Sequence, residues 1–348
     1  MNNITRYAAI NTKARALEGQ LLKNVDYIYL LSLKSVTEVA GYLKQKTHYR
    51  EILSGVNENE LHRGALEVLL KKSHMNGLEK IAHYFYDENK EFYQSLFIRY
   101  EIEDLKTIAR SITTSGNDYL SKDSLMYINR NRELNLDTLI SSKSIFDFTK
   151  NLRNTLFYKY LSPLIENNKV VSLFSFEMTL DLAYFDLFYK SLKSLSKKDR
   201  LLMEYEQGIN VDLLNIQWIY RGLKFYNFSP EELFNYTIAY GFEFNRNHIK
   251  RFCYSKNLDE FKNSILKTKY SFLFDQENTM DIFMERRILR YQYFKLKKMK
   301  KMEGMDISQS VVYGLLLEIE IRDIISIIES IRYGLPVEEA RKFLIRKL

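Results

Sequence analysis

The sequence has 348 residues (41.6 kDa), 46% of them hydrophobic, with 26 Tyr and 22 Phe but only 3 Pro and 12 Gly. Ordinary chains carry about 5% Pro and 7% Gly. So few breakers exclude collagen-like, linker-like and turn-dense β-sandwich chains, and predict long helices around a sizeable core. The formal net charge of +8 suits an acidic partner, whether nucleic acid, anionic lipid or protein, and does not choose among them.

In chain order, the first thirty residues lack an uninterrupted apolar core after a basic start, so no secretory signal is expected. Leu43-Lys44-Gln45-Lys46-Thr47-His48-Tyr49, running on to Leu53, sets a pattern T-x-(Y/F)-x-x-x-(L/F), with Val36 and Val39 upstream. The closest glycines, Gly55 and Gly64, are nine apart. That spacing forbids both G-x-G-x-x-G and G-x-x-x-x-G-K-S/T, whose glycines let backbone amides approach phosphate. Glu58/His62 and Glu79/His83 stand at i,i+4, where a helix could hold a metal. Without a third ligand in register they read as solvated or core histidines. No G-x-S-x-G elbow is present, and no active site of the chain's own is expected.

Asp104-Leu105-Lys106-Thr107-Ile108 opens a second pattern. The threonine pattern returns at Leu152-Arg153-Asn154-Thr155-Leu156-Phe157, to Leu161, and at Ile265-Leu266-Lys267-Thr268-Lys269-Tyr270, to Phe274. Ile145/Phe148 and Leu258/Phe261 match Val36/Val39 with a one-residue slip in the first copy. The aspartate pattern returns at Asp212-Leu213-Leu214-Asn215-Ile216 and Asp323-Ile324-Ile325-Ser326-Ile327. The threonines lie 108 and 113 apart and the aspartates 108 and 111. Two unrelated patterns with one period indicate three homologous helical units, 1–113, 114–222 and 223–348, the last with a tail helix. If each aspartate lies in or just before the first turn of its helix, its carboxylate can cap free amides, a structural role favoured over a chemical one because no general-acid partner accompanies it.

Ser229-Pro230-Glu231-Glu232 has an N-cap serine, an N1 proline and an acidic first turn. Cys253, the lone cysteine, forms no internal disulfide; it reads as a buried inert thiol in an intracellular chain. In the run from Arg286 to Met302, Leu289, Tyr293, Leu296 and Met299 form one inward stripe. Arg287, Arg290, Lys297, Lys298 and Lys301 then fall largely on the other side. They are a candidate partner-binding face, set against the plainer reading of solvated surface. The longest charge-free stretch, Ile307 to Leu317, is 11 residues, short of the roughly 18 that span a bilayer. Pro336 with Glu338 and Glu339 starts a short final helix expected to run to Leu348.

These residues resemble the C subunits of the bacterial and archaeal V-type (A/V-type) ATPases, equivalent to the d subunits of the vacuolar enzymes. Tyr7-Ala8-Ala9-Ile10-Asn11-Thr12-Lys13-Ala14-Arg15-Ala16-Leu17-Glu18 is similar to the family's first helix, with Lys13 where arginine is common. Asn210 to Arg221 resembles its middle signature. Glu318 to Ile324, followed by Tyr333-Gly334-Leu335-Pro336 and Glu338-Glu339, resembles its C-terminal one. The resemblance covers the whole chain, and it implies an all-α funnel of three similar domains about a pseudo-threefold axis. It also implies a non-catalytic part without cofactor or metal, peripheral to the cytoplasmic face of the cell membrane. Its implied partners are the membrane rotor ring (c/K subunits) and the D and F subunits of the central stalk. Its implied work is passing torque between ATP turnover and proton or sodium movement. The alternative is a helical-repeat scaffold binding some other acidic partner. Nucleic-acid binding is disfavoured: the tyrosines recur at helical spacing with Leu and Ile, and neither a helix-turn-helix nor an aromatic sheet platform is evident.

Overall fold

A computed structural model describes residues 3–114, 125–126, 134–166, 171–226, 228–274, 280–301 and 304–348. Among them the regular structure is helical throughout, without a strand, so the chain is all-α. The described residues fall into two compact units.

One unit takes both ends of the sequence, Met1–Phe85 and Lys197–Leu348. Its first part holds α1 (Asn3–Glu18), α2 (Asn24–Ser32), α3 (Val36–Lys46), α4 (Arg50–Leu53) and α5 (Arg63–Ala82). The other unit, Tyr86–Ser196, holds α6 (Asp87–Ser95), α7 (Ile98–Thr114), α8 (Leu136–Ile140), α9 (Ile145–Asn151), α10 (Tyr158–Ile165) and α11 (Leu173–Ser191). The first unit resumes with α12 (Lys197–Phe225), α13 (Pro230–Asn235), α14 (Arg246–Cys253) and α15 (Leu258–Leu266). It closes with α16 (Met280–Lys300), α17 (Ser308–Arg332) and α18 (Val337–Phe343).

Caps written in the sequence set several of these starts. Ser229 accepts the Glu232 amide at 3.2 Å while the Glu232 carboxylate accepts the Ser229 amide at 2.9 Å, a complete capping box with Pro230 at N1. Helices α3, α9 and α15 begin alike. Ser35, Ser144 and Asn257 accept amides from Glu38, Asp147 and Glu260, three residues on.

Helix α17 is the axis of its unit. From Ser308 to Leu317 all but Leu315 are buried, so the charge-free stretch of the sequence is packed core. Helices α1, α5 and α16 pack along α17, with α2, α3 and α18 against it as well. None of the described helices is long and apolar enough to cross a membrane. Helix α17 stops at Gly334, which has φ +63°. There the Leu335 amide reaches Ser330 O and the Gly334 amide reaches Ile331 O, the paired bonds of a Schellman stop. The last helix is shorter than expected. It ends at Phe343, and Leu344 to Arg346 turn back, buried, onto α17.

Candidate docking faces and three carboxylate seats

The repeated aspartates are all buried: Asp104 is 1% exposed, Asp212 and Asp323 0%. None stands in a first turn, which corrects the capping expectation. Asp104 is the seventh residue of α7, and Asp212 and Asp323 lie midway along α12 and α17. Each carboxylate nevertheless accepts backbone amides, from a segment that crosses its helix. The Met126 amide bonds both oxygens of Asp104, at 2.8 and 3.0 Å. Asp212 takes the amides of Glu243 at 2.8 Å and Phe244 at 3.3 Å. Asp323 takes those of Ile345 at 2.6 Å and Arg346 at 3.4 Å. A mid-helix carboxylate can do this because its own helix amides are already bonded, leaving its acceptors for a neighbour.

The threonine markers are equally alike. Thr47, Thr155 and Thr268 each donate to a carbonyl three or four residues back and accept the amide two residues on, from Tyr49, Phe157 and Tyr270. Those three aromatic rings are 0% exposed. Tyr270 donates from its hydroxyl to Asp212 at 2.8 Å, joining the two patterns in one core. Phe157 shares a core with the α7 residues Ile102, Leu105 and Ile108.

The third seat is assembled differently. Tyr49 meets α17 one turn from Asp323, donating to Glu320 at 3.1 Å. Glu320 is 0% exposed, accepts the Leu22 amide at 2.6 Å, and is paired with His48 Nε2 at 2.8 Å. Arg346 donates to Asp323 at 3.2 Å and to Leu22 O at 3.2 Å, with its guanidinium 3.5 Å from the centroid of the Tyr27 ring. Residues near both ends of the sequence therefore close this seat on α17. Burial pushes the Asp323 carboxyl up to about 6, outweighing the amides and Arg346, which pull it down. Burial also raises Asp212, against the pull of the Glu243 amide and the Tyr270 hydroxyl.

In the second seat the approach is so close that only glycine fits before it. A Cβ on Gly241 would collide with Asp212 Oδ1 and, at 2.6 Å, with Phe244 O. Cys253 packs in the same core, 1% exposed, and burial pushes its thiol up to about 12.

The inward stripe of α16 lies where its spacing puts it. Leu296 and Met299 are buried, with Leu289 and Tyr293 packed against the same cluster as Ile345. The five basic residues divide. Arg287 is half-buried and donates to Leu273 O at 3.0 Å. Arg290 donates to Ile345 O at 2.8 Å and Leu344 O at 2.6 Å, and burial lowers its pKa. These two guanidiniums hold carbonyls of the protein's own backbone. Lys297, Lys298 and Lys301 are exposed near the end of α16. Among the described residues no three His, Cys, Asp or Glu side chains converge as a metal site.

Sequence reading missed Glu320, His48 and Arg346, which occur in one seat only. It also missed a third recurrent signal, Lys34-Ser35-Val36, Lys143-Ser144-Ile145 and Lys256-Asn257-Leu258, which opens α3, α9 and α15.

The model of one protein family, described as ATP synthase (C/AC39) subunit, matches residues 10–343. Comparison with curated proteins gives no match.

Proposed function

The chain belongs to the ATP synthase (C/AC39) subunit family, and from that premise we propose that it is the non-catalytic central-rotor part of a V-type ATPase. In this reading it joins the D and F subunits of the central stalk to the membrane rotor ring (c/K subunits). It passes torque between ATP turnover and proton or sodium transport. It is peripheral, on the cytoplasmic face of the membrane sector. The observation that carries the reading is the span of the family match, 334 of 348 residues counted from 10 to 343. Three related helical parts, 1–113, 114–222 and 223–348, belong to the same proposal, supported by three carboxylate seats and three threonine turns with like bonding.

A rotor part needs rigid helices and partner faces rather than a nucleophile or a phosphate cradle. Long helices pinned by buried side chain to backbone bonds suit that demand. Of the basic run, Lys297, Lys298 and Lys301 are the groups placed to meet acidic groups of a partner, each adding about 1 kcal/mol if those groups are anionic lipid heads. Reversing all three to glutamate leaves melting nearly unchanged, because exposed charges contribute little to folding, and makes assembly weaker and more salt-sensitive. Purifying the membrane-bound ATPase through a ring or stalk subunit tests the main reading. This chain is then recovered in fixed ratio with the ring and with D and F. Its absence from the purified complex sinks the assignment. Stoichiometric ATP binding by the isolated chain in calorimetry argues against the non-catalytic role.

A further inference from the structure

Helix α2 exposes apolar side chains that its internal counterpart does not. The shared opening Lys34-Ser35 and Lys256-Asn257 aligns α2 with α14 residue by residue. Both bury the same positions: Tyr27, Leu30 and Leu31 in α2, and Ile249, Phe252 and Cys253 in α14. The outward positions differ in chemistry. Helix α14 shows Asn247, Lys250 and Arg251 there, all exposed, as an ordinary solvated face does. Helix α2 shows Val25 at 68%, Ile28 at 49% and Tyr29 at 50% exposure. Aligned through Lys143-Ser144, α8 shows exposed Asp137 and Thr138 where α2 has Ile28 and Tyr29. Leu134, which aligns with Val25, is apolar but buried, so at the positions of Ile28 and Tyr29 the fold does not require apolar residues, since two copies do without them. A cluster of exposed apolar side chains on one copy marks a contact with something else.

We propose that the Val25–Ile28–Tyr29 face of α2 is a docking surface for another protein subunit of the same ATPase, one presenting an apolar side chain bordered by carboxylates. This rests on the functional reading above. The local charge favours such a partner. Lys23 and Lys34 are exposed at the two ends of the helix. The helix's own carboxylate, Asp26, is half-buried and engaged, accepting the Lys23 amide at 2.6 Å and the Tyr42 hydroxyl at 2.6 Å. Lys23 and Lys34 flank the stripe, with the exposed Glu38 carboxylate accepting the Lys34 amide at 2.8 Å, and an acidic group on the partner complements the two cations. Tyr29 lies against Tyr42 with ring centroids 4.6 Å apart, and exposed aromatic side chains are what protein hot spots use.

The test gives α2 the residues of α14: Val25→Asn, Ile28→Lys and Tyr29→Arg in the full chain, in cells lacking the native copy. The complex is purified through a stalk subunit, and recovery of this chain is measured beside wild type and an Asn247→Ala, Lys250→Ala, Arg251→Ala control. Urea unfolding of the purified variant matches wild type, because α14 already carries these residue types. Recovery falls about tenfold, the scale of losing a few anchor side chains, while the control is recovered like wild type. Equal recovery of the α2 variant overturns the docking face and leaves the functional reading intact. Absence of the wild-type chain from the complex sinks that reading instead. Should the triple variant unfold, a photoreactive residue in place of Ile28 serves. A crosslink to another subunit of the purified complex supports the face, and none overturns it. Binding of the isolated chain to phosphatidylserine-containing vesicles, lost in the triple variant, would assign the face to lipid and overturn the proposal.

Discussion

The second and third seats hold the same kind of carboxylate in the same kind of helix, yet one is closed by neighbouring sequence and the other by distant sequence. Around Asp212 the partners run from Glu243 to Tyr270, within 58 residues of it. Around Asp323 and Glu320 the partners include Leu22, His48 and Tyr49, which are 298, 272 and 271 residues from Glu320. A short loop is cheap to close and a long one costs more, though only logarithmically. The third seat offsets this with more ionic and hydrogen-bonded contacts: a second buried carboxylate, a guanidinium that bridges both ends, and an arginine from α16 on the returning segment. The same device can be built locally or from afar, provided the distant version carries extra bonds.

The sharpest way to break that comparison is to remove one catch from each. Arg346→Ala leaves Asp323 buried without its cation and costs about 3 kcal/mol. Hydrogen exchange should then rise at both 22–53 and 344–346. Asp212→Ala strands two amides and the Tyr270 hydroxyl, a loss of about 3 kcal/mol as well. Its opening should stay within 230–274. Exchange spreading to 22–53 in Asp212→Ala would mean that the two seats open as one.

A somewhat smaller effect is expected from Gly241→Ala, which pushes a methyl group into Asp212 and costs about 2 kcal/mol in urea unfolding. No such dependence on glycine is expected at Ile345, where the returning segment meets Asp323. A neutral result for Gly241→Ala would show that the second seat can relax.

Acidity separates the seats further. The Asp323 carboxyl stands at about 6 in the folded chain against an ordinary 3.8. The native state therefore binds a proton that the unfolded chain has released. This contribution is fully present below about pH 4, is lost as pH rises to about 6, and is level above, a change of up to about 3 kcal/mol before screening. Asp323→Asn should lack that fall between about pH 4 and 7. Parallel curves for wild type and variant would mean the carboxyl is ionised throughout.

The smallest effect is a reporter. Native Cys253, with its thiol pushed up to about 12, should stay unlabelled by a disulfide reagent at about pH 8. Asp212→Ala should speed its labelling and Arg346→Ala should not.

Much of this is legible in the sequence. Asp104, Asp212 and Asp323 share a period because each receives the segment that follows its helix, 22 to 32 residues on, and Thr47, Thr155 and Thr268 because each makes a local turn. Local bonds leave local patterns. What receives the aspartates is not legible, since Met126, Glu243, Phe244 and Ile345 offer backbone amides, which any residue type but proline supplies. The capping expectation fails for the same reason: an aspartate followed by apolar residues reads alike at a helix start and at mid-helix. The helix expected to reach Leu348 stops at Phe343 because Asp323 and Arg290 capture the backbone beyond it. The α2 face escapes notice because three apolar residues in a helix read as core until their exposure is known.

Closure of the third seat from both ends also sets an order of events during synthesis. Leu22, Tyr27 and Tyr49 leave the ribosome about 300 residues before Glu320 and Arg346 do. At roughly 5–20 residues per second they wait some 15–60 s for their partners. Through that interval these side chains are without the helix against which they will be buried. The second seat, complete by Tyr270, can form while the third is still half made. Nascent chains stalled before Glu320 are then the species in which the N-terminal segment is open to chaperones and proteases.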